Sequence, residues 1–356
     1  QMKRPAYDSP SVPISWARIN YESGTNDWVL IDPNGKEQIR EFFQKNPEAA
    51  RKQLGDDPFE ISNIFKYWLH NEDPDMRIIP TDTLHLKVDK EAVRRSGMFM
   101  PSDSIPDVMN ISLAGRRGLS KADLMILEML MQCNWERPIY VATTVGGSNY
   151  MSLGDNFVQE GLTHRITPFQ TSVEGKRVEG MKDFDTERVY KNIMTRFKYG
   201  GVDKKGIYID ETVMRMCYTH RRLFGQLALN LIEEGKKDKA IEVLDRGEKV
   251  IPPYNVPINY MGGGYEFARA YILAGNTAKA KPWLEETFKN AEQYVKWFLS
   301  LNDNRFMQST QDCMNHLYIM SKCIEIADAY GEKYKMNLED RYLKLGEEFK
   351  KRTGYE

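Results

Sequence analysis

The chain has 356 residues, 41% of them hydrophobic, and its 50 lysines and arginines nearly balance 51 aspartates and glutamates for a formal net charge of −1. This length predicts about two domains, and the interspersed charges, with no basic stripe, argue against a nucleic-acid partner. No stretch approaches the roughly 18 apolar residues of a membrane span, and the start does not look like a signal peptide. Because the sequence begins at Gln1 rather than at an initiator methionine, we expect a water-soluble part of a longer protein.

Residues 1–183 show strand and helix patterns in alternation. Strands are predicted for the segments PISWARINY, DWVLID, IIPTDTLHLKVD, VMNISL and LTHRITPF, which are rich in alternating or β-branched apolar residues. Helices are predicted at residues 36–45, 47–54 and 58–70. The pattern indicates an α/β domain.

A further helix is predicted for KADLMILEMLMQC, which is apolar nearly all round. Ser120 precedes it and, with Asp123, resembles a capping box. The segment PIYVATTV that follows is a continuous apolar run, typical of a buried strand. Strand, buried helix and strand in this order suggest a crossover that joins a parallel pair. The first domain is therefore predicted to be α/β with a small mixed sheet.

Residues 184–356 have a helical texture and contain an internal alignment. LALNLIEEGKKDKAIEVL, from Leu227, aligns with FARAYILAGNTAKAKPWL, from Phe267. The matched pairs, all 40 residues apart, are Ala228 with Ala268, Gly235 with Gly275, Ala240 with Ala280 and Leu244 with Leu284. Small residues let helices approach closely and the glycine turns the chain, which is the logic of tetratricopeptide repeats of about 34 residues. The sequence predicts an all-α tetratricopeptide-like domain that ends in a helical hairpin at about residues 308–334 and 337–352.

The motifs that would carry metal or cofactor chemistry are weak. The five histidines form no H-E-x-x-H, and the four cysteines form no C-x-x-C. Asp73-Pro74-Asp75 is a D-x-D, which some nucleotide-sugar transferases use to hold a metal, but a polar turn is the better interpretation. The pair Gly146-Gly147 and the run Gly262-Gly263-Gly264 lack the spacing of dinucleotide or phosphate loops. We predict no catalytic residue, no metal and no cofactor.

Candidate ligand-binding residues gather in one stretch, NWERPIYVATTVGGSNYMSLGDNFVQEGLTHRITPF. They are Trp135, Arg137, Tyr140, Tyr150, Glu160 and Arg165. One interpretation is a polar pocket at the carboxyl ends of parallel strands, where open α/β sheets bind ligands. The favoured interpretation is scaffold: Arg137 pairs with Glu160, and a strand that starts at Pro138 runs through the sheet interior from Ile139 to Val145. A tryptophan could instead stack on a sugar, with Trp16, Trp28 and Trp135 the hardest to place in a core.

Four segments resemble a known family. They are PSVPISWARINYESGTNDWV, the stretch from LSKADLM to HRITPF, TERVYKNIMTRFKYGG and EEGKKDKAIEVLDRGEKVIP. They look like the soluble carboxyl-terminal region of a large family of Bacteroidetes membrane proteins, which is catalogued as a domain of unknown function. The membrane half of that family, absent here, is similar to protein O-mannosyltransferases. The resemblance implies a position on the periplasmic side of the inner membrane, and it assigns no catalytic residue to this sequence, because such transferases carry the catalytic acid in the membrane half.

The expected function is a non-catalytic accessory region of a membrane glycosyltransferase, which binds a protein or peptide in the groove of its helical repeats. The first alternative is a glycan-binding or catalytic α/β domain; an open pocket around Arg137 and Glu160 would favour it, whereas a packed cluster would favour a scaffold. The second alternative is a structural spacer. We expect no nucleic-acid partner, and membrane contact only through the membrane half.

Overall fold

The computed structural model of the chain describes residues 28–73 and 77–354. The predicted strand PISWARINY with Trp16, and Pro74 and Asp75 of the D-x-D, lie outside the described residues. The chain divides into two compact units, Gln1–Asp185 and Thr186–Glu356. Among the described helices, none is long and apolar enough to cross a membrane.

The first unit contains short antiparallel strands. They are β1 (Trp28–Leu30), β2 (Thr83–Lys87), β3 (Val108–Ser112), β4 (Gly118–Ser120), β5 (Tyr140–Ala142), β6 (Phe157–Gln159), β7 (Thr163–Ile166), β8 (Ser172–Val173) and β9 (Lys176–Arg177). Strand β1 pairs with β4, β2 with β3 and β8 with β9, and β7 lies between β5 and β6. Every one of these pairs is antiparallel. The predicted strands in DWVLID, IIPTDTLHLKVD, VMNISL and LTHRITPF are thereby confirmed.

The helices of the first unit follow the predicted order. They are α1 (Gly35–Lys45), α2 (Pro47–Leu54), α3 (Ile61–Asn63) with a π-helical continuation (Ile64–Leu69), α4 (Lys90–Arg95) and α5 (Lys121–Cys133). The predicted capping box of α5 is confirmed, because Ser120 Oγ accepts the Asp123 N–H at 3.3 Å and Asp123 Oδ2 accepts the Ser120 N–H at 3.0 Å. Helix α5 buries Leu124, Leu127 and Leu130 in the core of the unit.

The predicted parallel crossover and mixed sheet are wrong. Strand β5 follows α5 but pairs antiparallel with β7, and parallel contacts among the described residues of this unit are isolated bridges such as Ile31 with Ile79. The reason is local: residues 160–162 connect β6 to β7 as a short hairpin, which gives β5 a nearby antiparallel edge at little cost in loop closure. The predicted buried strand up to Val145 is also wrong, because β5 ends at Ala142 and Tyr140 is 41% exposed.

The second unit is helical. Its helices are α6 (Thr186–Lys191) with a π-helical continuation (Asn192–Arg196), α7 (Glu211–Glu233), α8 (Lys237–Val250), α9 (Gly264–Leu273), α10 (Thr277–Leu299), α11 (Asp303–Gln308), α12 (Thr310–Glu325) and α13 (Glu332–Thr353). Helix α7 packs against α8 and α9, α10 packs against α9 and α12, and α12 packs against α13. Consecutive long helices therefore contact one another along the unit.

The aligned residues lie at corresponding places in two helix pairs, α7–α8 and α9–α10. Ala228, Ala240, Ala268 and Ala280 are all fully buried. The matched glycines close the two turns in the left-handed region, Gly235 with φ 75° and Gly275 with φ 89°. Side chains with a Cβ avoid that region, so glycine is the favoured residue in both turns.

Candidate functional site

The six candidate residues of the first unit do not converge on one pocket. Trp135 is buried in the core, where its indole Nε1–H donates to the Lys87 carbonyl at 3.3 Å. The ring of Tyr150 packs against Phe157 with centroids 4.9 Å apart. None of the six candidates lines either of two open cavities of this unit, of about 600 and 300 Å³.

Three of the candidates, Tyr140, Glu160 and Arg165, form one polar cluster on the three-stranded sheet, in which Glu160 and Arg165 are buried. The side chains of Arg165 and Glu160 are only 2% and 3% exposed, and Arg165 Nη1 lies 3.7 Å from Glu160 Oε1. The register places Tyr140 opposite Arg165, and the Tyr140 hydroxyl donates to Glu160 Oε2 at 2.8 Å. Arg165 Nη2 also donates to the Ser96 carbonyl at 3.4 Å. Such a cluster ties β5, β7 and the segment after α4 together.

The predicted ion pair between Arg137 and Glu160 is not formed. Arg137 is exposed, and Glu160 pairs with Arg165 instead. The neighbouring Glu136 lies 3.7 Å from Arg95. The physical reason is that Arg137 precedes β5, just after a turn in which Trp135 has a φ of 63°, whereas Arg165 belongs to the central strand.

Other polar groups of this unit also have structural neighbours. His85 Nδ1 lies 2.7 Å from Asp57 Oδ2. Burial lowers the pKa of His164, which stacks on Phe157 at 5.3 Å. Across the described ranges, no group of three or more His, Cys, Asp or Glu side chains could hold a metal ion. All four cysteines are buried free thiols.

A second set of candidate side chains, which the sequence reasoning missed, lies in the second unit. Helices α7, α9 and α12 each carry a tyrosine followed four residues later by a cation. These pairs, which we call the tyrosine–cation face, are Tyr218 with Arg222, Tyr265 with Arg269, and Tyr318 with Lys322. Residues four apart share one side of a helix, so each tyrosine and its cation are neighbours. Tyr318 is 55% exposed and Arg269 is also exposed.

The connection between α8 and α9 brings the pairs of α7 and α9 together. Asn259 donates to the Tyr218 hydroxyl at 2.9 Å. Gly263 packs on the backbone of α7, where a Cβ at this position would lie 3.1 Å from the Arg222 nitrogen. The ring of Tyr260 lies 6.2 Å from that of Tyr265.

Electrostatic effects on two tyrosines show that all three helices contribute to the same face. The pKa of Tyr260 is raised by burial and by the nearby Glu266, Tyr318 and Tyr265, while Arg222 lowers it. The pKa of Tyr265 is raised by burial, and Arg269 and Lys322, on different helices, both oppose the rise. Arg222 therefore lies close enough to Tyr260, and Arg269 and Lys322 close enough to Tyr265, to influence the pKa of that tyrosine.

The charges of this face are only partly compensated. Lys322 pairs with Glu325 at 2.8 Å. Within the described part of the chain, neither Arg222 nor Arg269 forms an ion pair with a carboxylate. Glu266 lies near Arg222, but burial raises the pKa of Glu266. The arrangement can hold negatively charged or hydrogen-bond-accepting groups.

A buried arginine fixes the segment that carries Tyr260. Arg221 is fully buried, and its guanidinium donates to the carbonyls of Ile251, Val256 and Pro257 at 2.6 to 3.0 Å. Its cationic carbon also lies 5.4 Å from the centre of the Trp283 ring. Burial lowers the pKa of Arg221 to about 10, yet it stays protonated at neutral pH and anchors the connection to α7.

Comparison with known proteins identifies one family. The family described as TMEM260-associated domain 2 matches residues 1–188. The chain belongs to this family. No curated protein and no solved structure matches the chain.

The TMEM260-associated domain 2 match spans the first unit and the first residues of the second. Its description is that of a domain associated with a membrane protein. The tyrosine–cation face lies outside the matched residues, so the family assigns no role to it. That role has to be argued from the side chains themselves.

Proposed function

We propose that the chain is a non-catalytic accessory region of a membrane protein, and that its second unit binds a polypeptide on the tyrosine–cation face. The observation that carries the proposal is the set of three helices that present tyrosines with cations, two of which are arginines that form no ion pair among the described residues. Tyrosine and arginine are the residue types that most often dominate the energy of protein interfaces.

The helix pairs of the second unit support a repeat-like arrangement. The two aligned segments place buried alanines and left-handed glycines at equivalent positions. We therefore propose that α7–α8 and α9–α10 are tetratricopeptide-like repeats and that α12–α13 closes the stack. In stacks of this kind, one helix of each pair faces an extended binding surface, and we propose that α7, α9 and α12 take this place here.

The first unit is proposed as a scaffold. Its buried Arg165–Glu160 pair has charged atoms 3.7 Å apart and is almost inaccessible to a ligand. The family match supports attachment to a membrane protein. The resemblance of four sequence segments to a family of Bacteroidetes membrane proteins leads us to propose that the attached membrane protein is a glycosyltransferase similar to protein O-mannosyltransferases. It also leads us to propose that the chain faces the periplasm.

The proposal is tested by selecting peptides from a random displayed library on the full 356-residue chain. Selected peptides should lose affinity for an Arg222→Gln/Arg269→Gln variant, measured by fluorescence anisotropy. The matched control is Arg305→Gln, since Arg305 is exposed on α11 and likewise has no ion pair within the described residues. Selected peptides that bind the face variant and the control equally well would exclude this face as the docking surface.

A further inference from the structure

We infer that the tyrosine–cation face recognises an extended acidic polypeptide segment whose carboxylates are spaced about four residues apart. This inference rests on the proposed function and specifies the chemistry of the partner. It follows from the charges of the face, from the spacing of its helices and from the carboxylates that interrupt it.

The charge of the occupant follows from the two arginines. Arg222 is half-buried and Arg269 is exposed, and neither has a carboxylate partner among the described residues. A guanidinium with five N–H donors that is partly removed from water favours a carboxylate, which accepts two parallel hydrogen bonds. The third cation, Lys322, already pairs with Glu325, so the strongest demand for negative charge lies on α7 and α9.

The spacing of the occupant's charges follows from helix packing. Helices α7 and α9 pack directly against each other, and packed helices have axes about 8–10 Å apart. An extended chain advances about 3.3 Å per residue. Arg222 lies seven residues, or about 10 Å, nearer the start of its helix than the position that repeats Arg269. The two cations are therefore about 13–14 Å apart, which corresponds to about four residues of an extended chain. Side chains four residues apart lie on the same face of such a chain, so carboxylates at every fourth position would reach successive cations.

The interruptions of the face favour a polypeptide over a continuous polyanion. The carboxylates of Glu266 and Glu325 lie among the cations, Glu266 near Arg222 and Glu325 on Lys322. A polyanion with a charge on every unit would place negative groups against both of them. A peptide can place neutral residues there, and these residues can pack on Tyr260 and Tyr265, whose rings offer apolar surface with a polar edge.

The test uses three synthetic peptides of about 12 residues, enough to cross three helices at about 3.3 Å per residue. The first carries glutamate at every fourth position, the second carries glutamine at the same positions, and the third has the composition of the first with its glutamates consecutive. Affinities for the full chain are measured by fluorescence anisotropy. We expect the first peptide to bind about tenfold more tightly than the other two, the effect of one charge-assisted hydrogen bond.

The variants locate this preference. Arg269→Gln and Arg222→Gln/Arg269→Gln should each reduce the preference for glutamate, whereas Arg305→Gln should preserve it. The exposed position of Arg269 makes a folding defect in the single variant improbable, and circular dichroism checks it. A preference that survives the double variant would overturn the inference.

Three other results would also overturn the inference, and they differ in what they say about the proposed function. If the library-selected peptides need the face but the glutamate and glutamine peptides bind equally, the face binds peptides of another chemistry and the proposed function stands. If heparin, a continuous polyanion, binds the face more tightly than the spaced acidic peptide, the acidic-peptide inference fails. If no peptide binding depends on the face, the proposed function fails with it.

Discussion

Replacing Arg165 by methionine should strongly destabilise the first unit. Arg165 and Glu160 are 2% and 3% exposed and their charged groups lie 3.7 Å apart. Methionine fills much of the volume of the arginine stem but removes the cation that lies 3.7 Å from the buried Glu160 carboxylate. Breaking a buried pair in this way costs about 3–5 kcal/mol of the free energy of unfolding.

The assay is thermal unfolding followed by circular dichroism or calorimetry. For a domain of about 150–250 residues, 1 kcal/mol shifts the melting temperature by about 2–4 °C, so the transition of the first unit should fall by about 6–20 °C. Arg137→Met is the matched control. Because Arg137 is exposed, its replacement should change the free energy of unfolding by no more than about 0.5 kcal/mol.

A double variant separates the pair from a simple packing defect. Arg165→Met/Glu160→Leu removes both charges, and replacement of a whole buried pair by apolar residues is often close to neutral. We expect it to recover most of the stability lost in Arg165→Met. A parental melting temperature for Arg165→Met, or a loss of the same size in Arg137→Met, would refute the reasoning about the buried pair.

Three further predictions concern the second unit. Arg221→Met leaves three buried carbonyl groups without their donor and should cost at least about 3 kcal/mol in urea unfolding; a smaller loss would show that water replaces the guanidinium. Gly264→Ala places a Cβ 2.1 Å from a threonine hydroxyl of α10 and should cost about 1–3 kcal/mol, whereas Gly346→Ala, in an open part of α13, should be neutral or stabilising. Burial raises the pKa of Glu266, so ionisation of this carboxyl lowers the stability of the fold as pH rises from the ordinary glutamate pKa through the raised one. Glu266→Gln removes the buried charge and should raise the melting temperature at pH 7. Hydrogen bonds from Arg341, the largest cause, lower the pKa of Glu292. The ionised Glu292 therefore stabilises the fold above the ordinary glutamate pKa, this stabilisation is lost as pH falls through the lowered pKa, and Glu292→Gln should lower the melting temperature at pH 7. Melting curves from pH 3 to 7 check the opposite pH dependences expected for Glu266 and Glu292.

Elements that depend on local signals could be predicted from the sequence. The capping box of Ser120 and Asp123 marks the start of α5 because both of its hydrogen bonds form within four residues. Gly235 and Gly275 mark helix turns because the left-handed conformation of each is a property of a single residue. Neither prediction required knowledge of a distant part of the chain.

Pairings between distant segments could not be predicted in the same way. Both Arg137 and Arg165 are arginines in the same stretch as Glu160, and composition does not show which one is buried. The choice depends on the register that places Arg165 in the central strand β7. The expected parallel crossover failed for the same reason, since a β-branched apolar run fits an antiparallel edge as well as a buried parallel strand.

The tyrosine–cation face escaped the repeat alignment because it does not follow the 40-residue spacing of the buried alanines. Tyr218 and Tyr265 are 47 residues apart, seven more than the spacing between Ala228 and Ala268. Seven residues are almost two full helical turns and rotate a side chain by only about 20°. The pair on α7 therefore stays on the same side of its helix, about 10 Å nearer the start of the helix than strict repetition would place it. Packing selects residues at equivalent depths in each helix pair. A segment that crosses the helices obliquely would instead contact residues on a common side at shifted heights, and the proposed acidic segment is expected to cross α7 and α9 in this way.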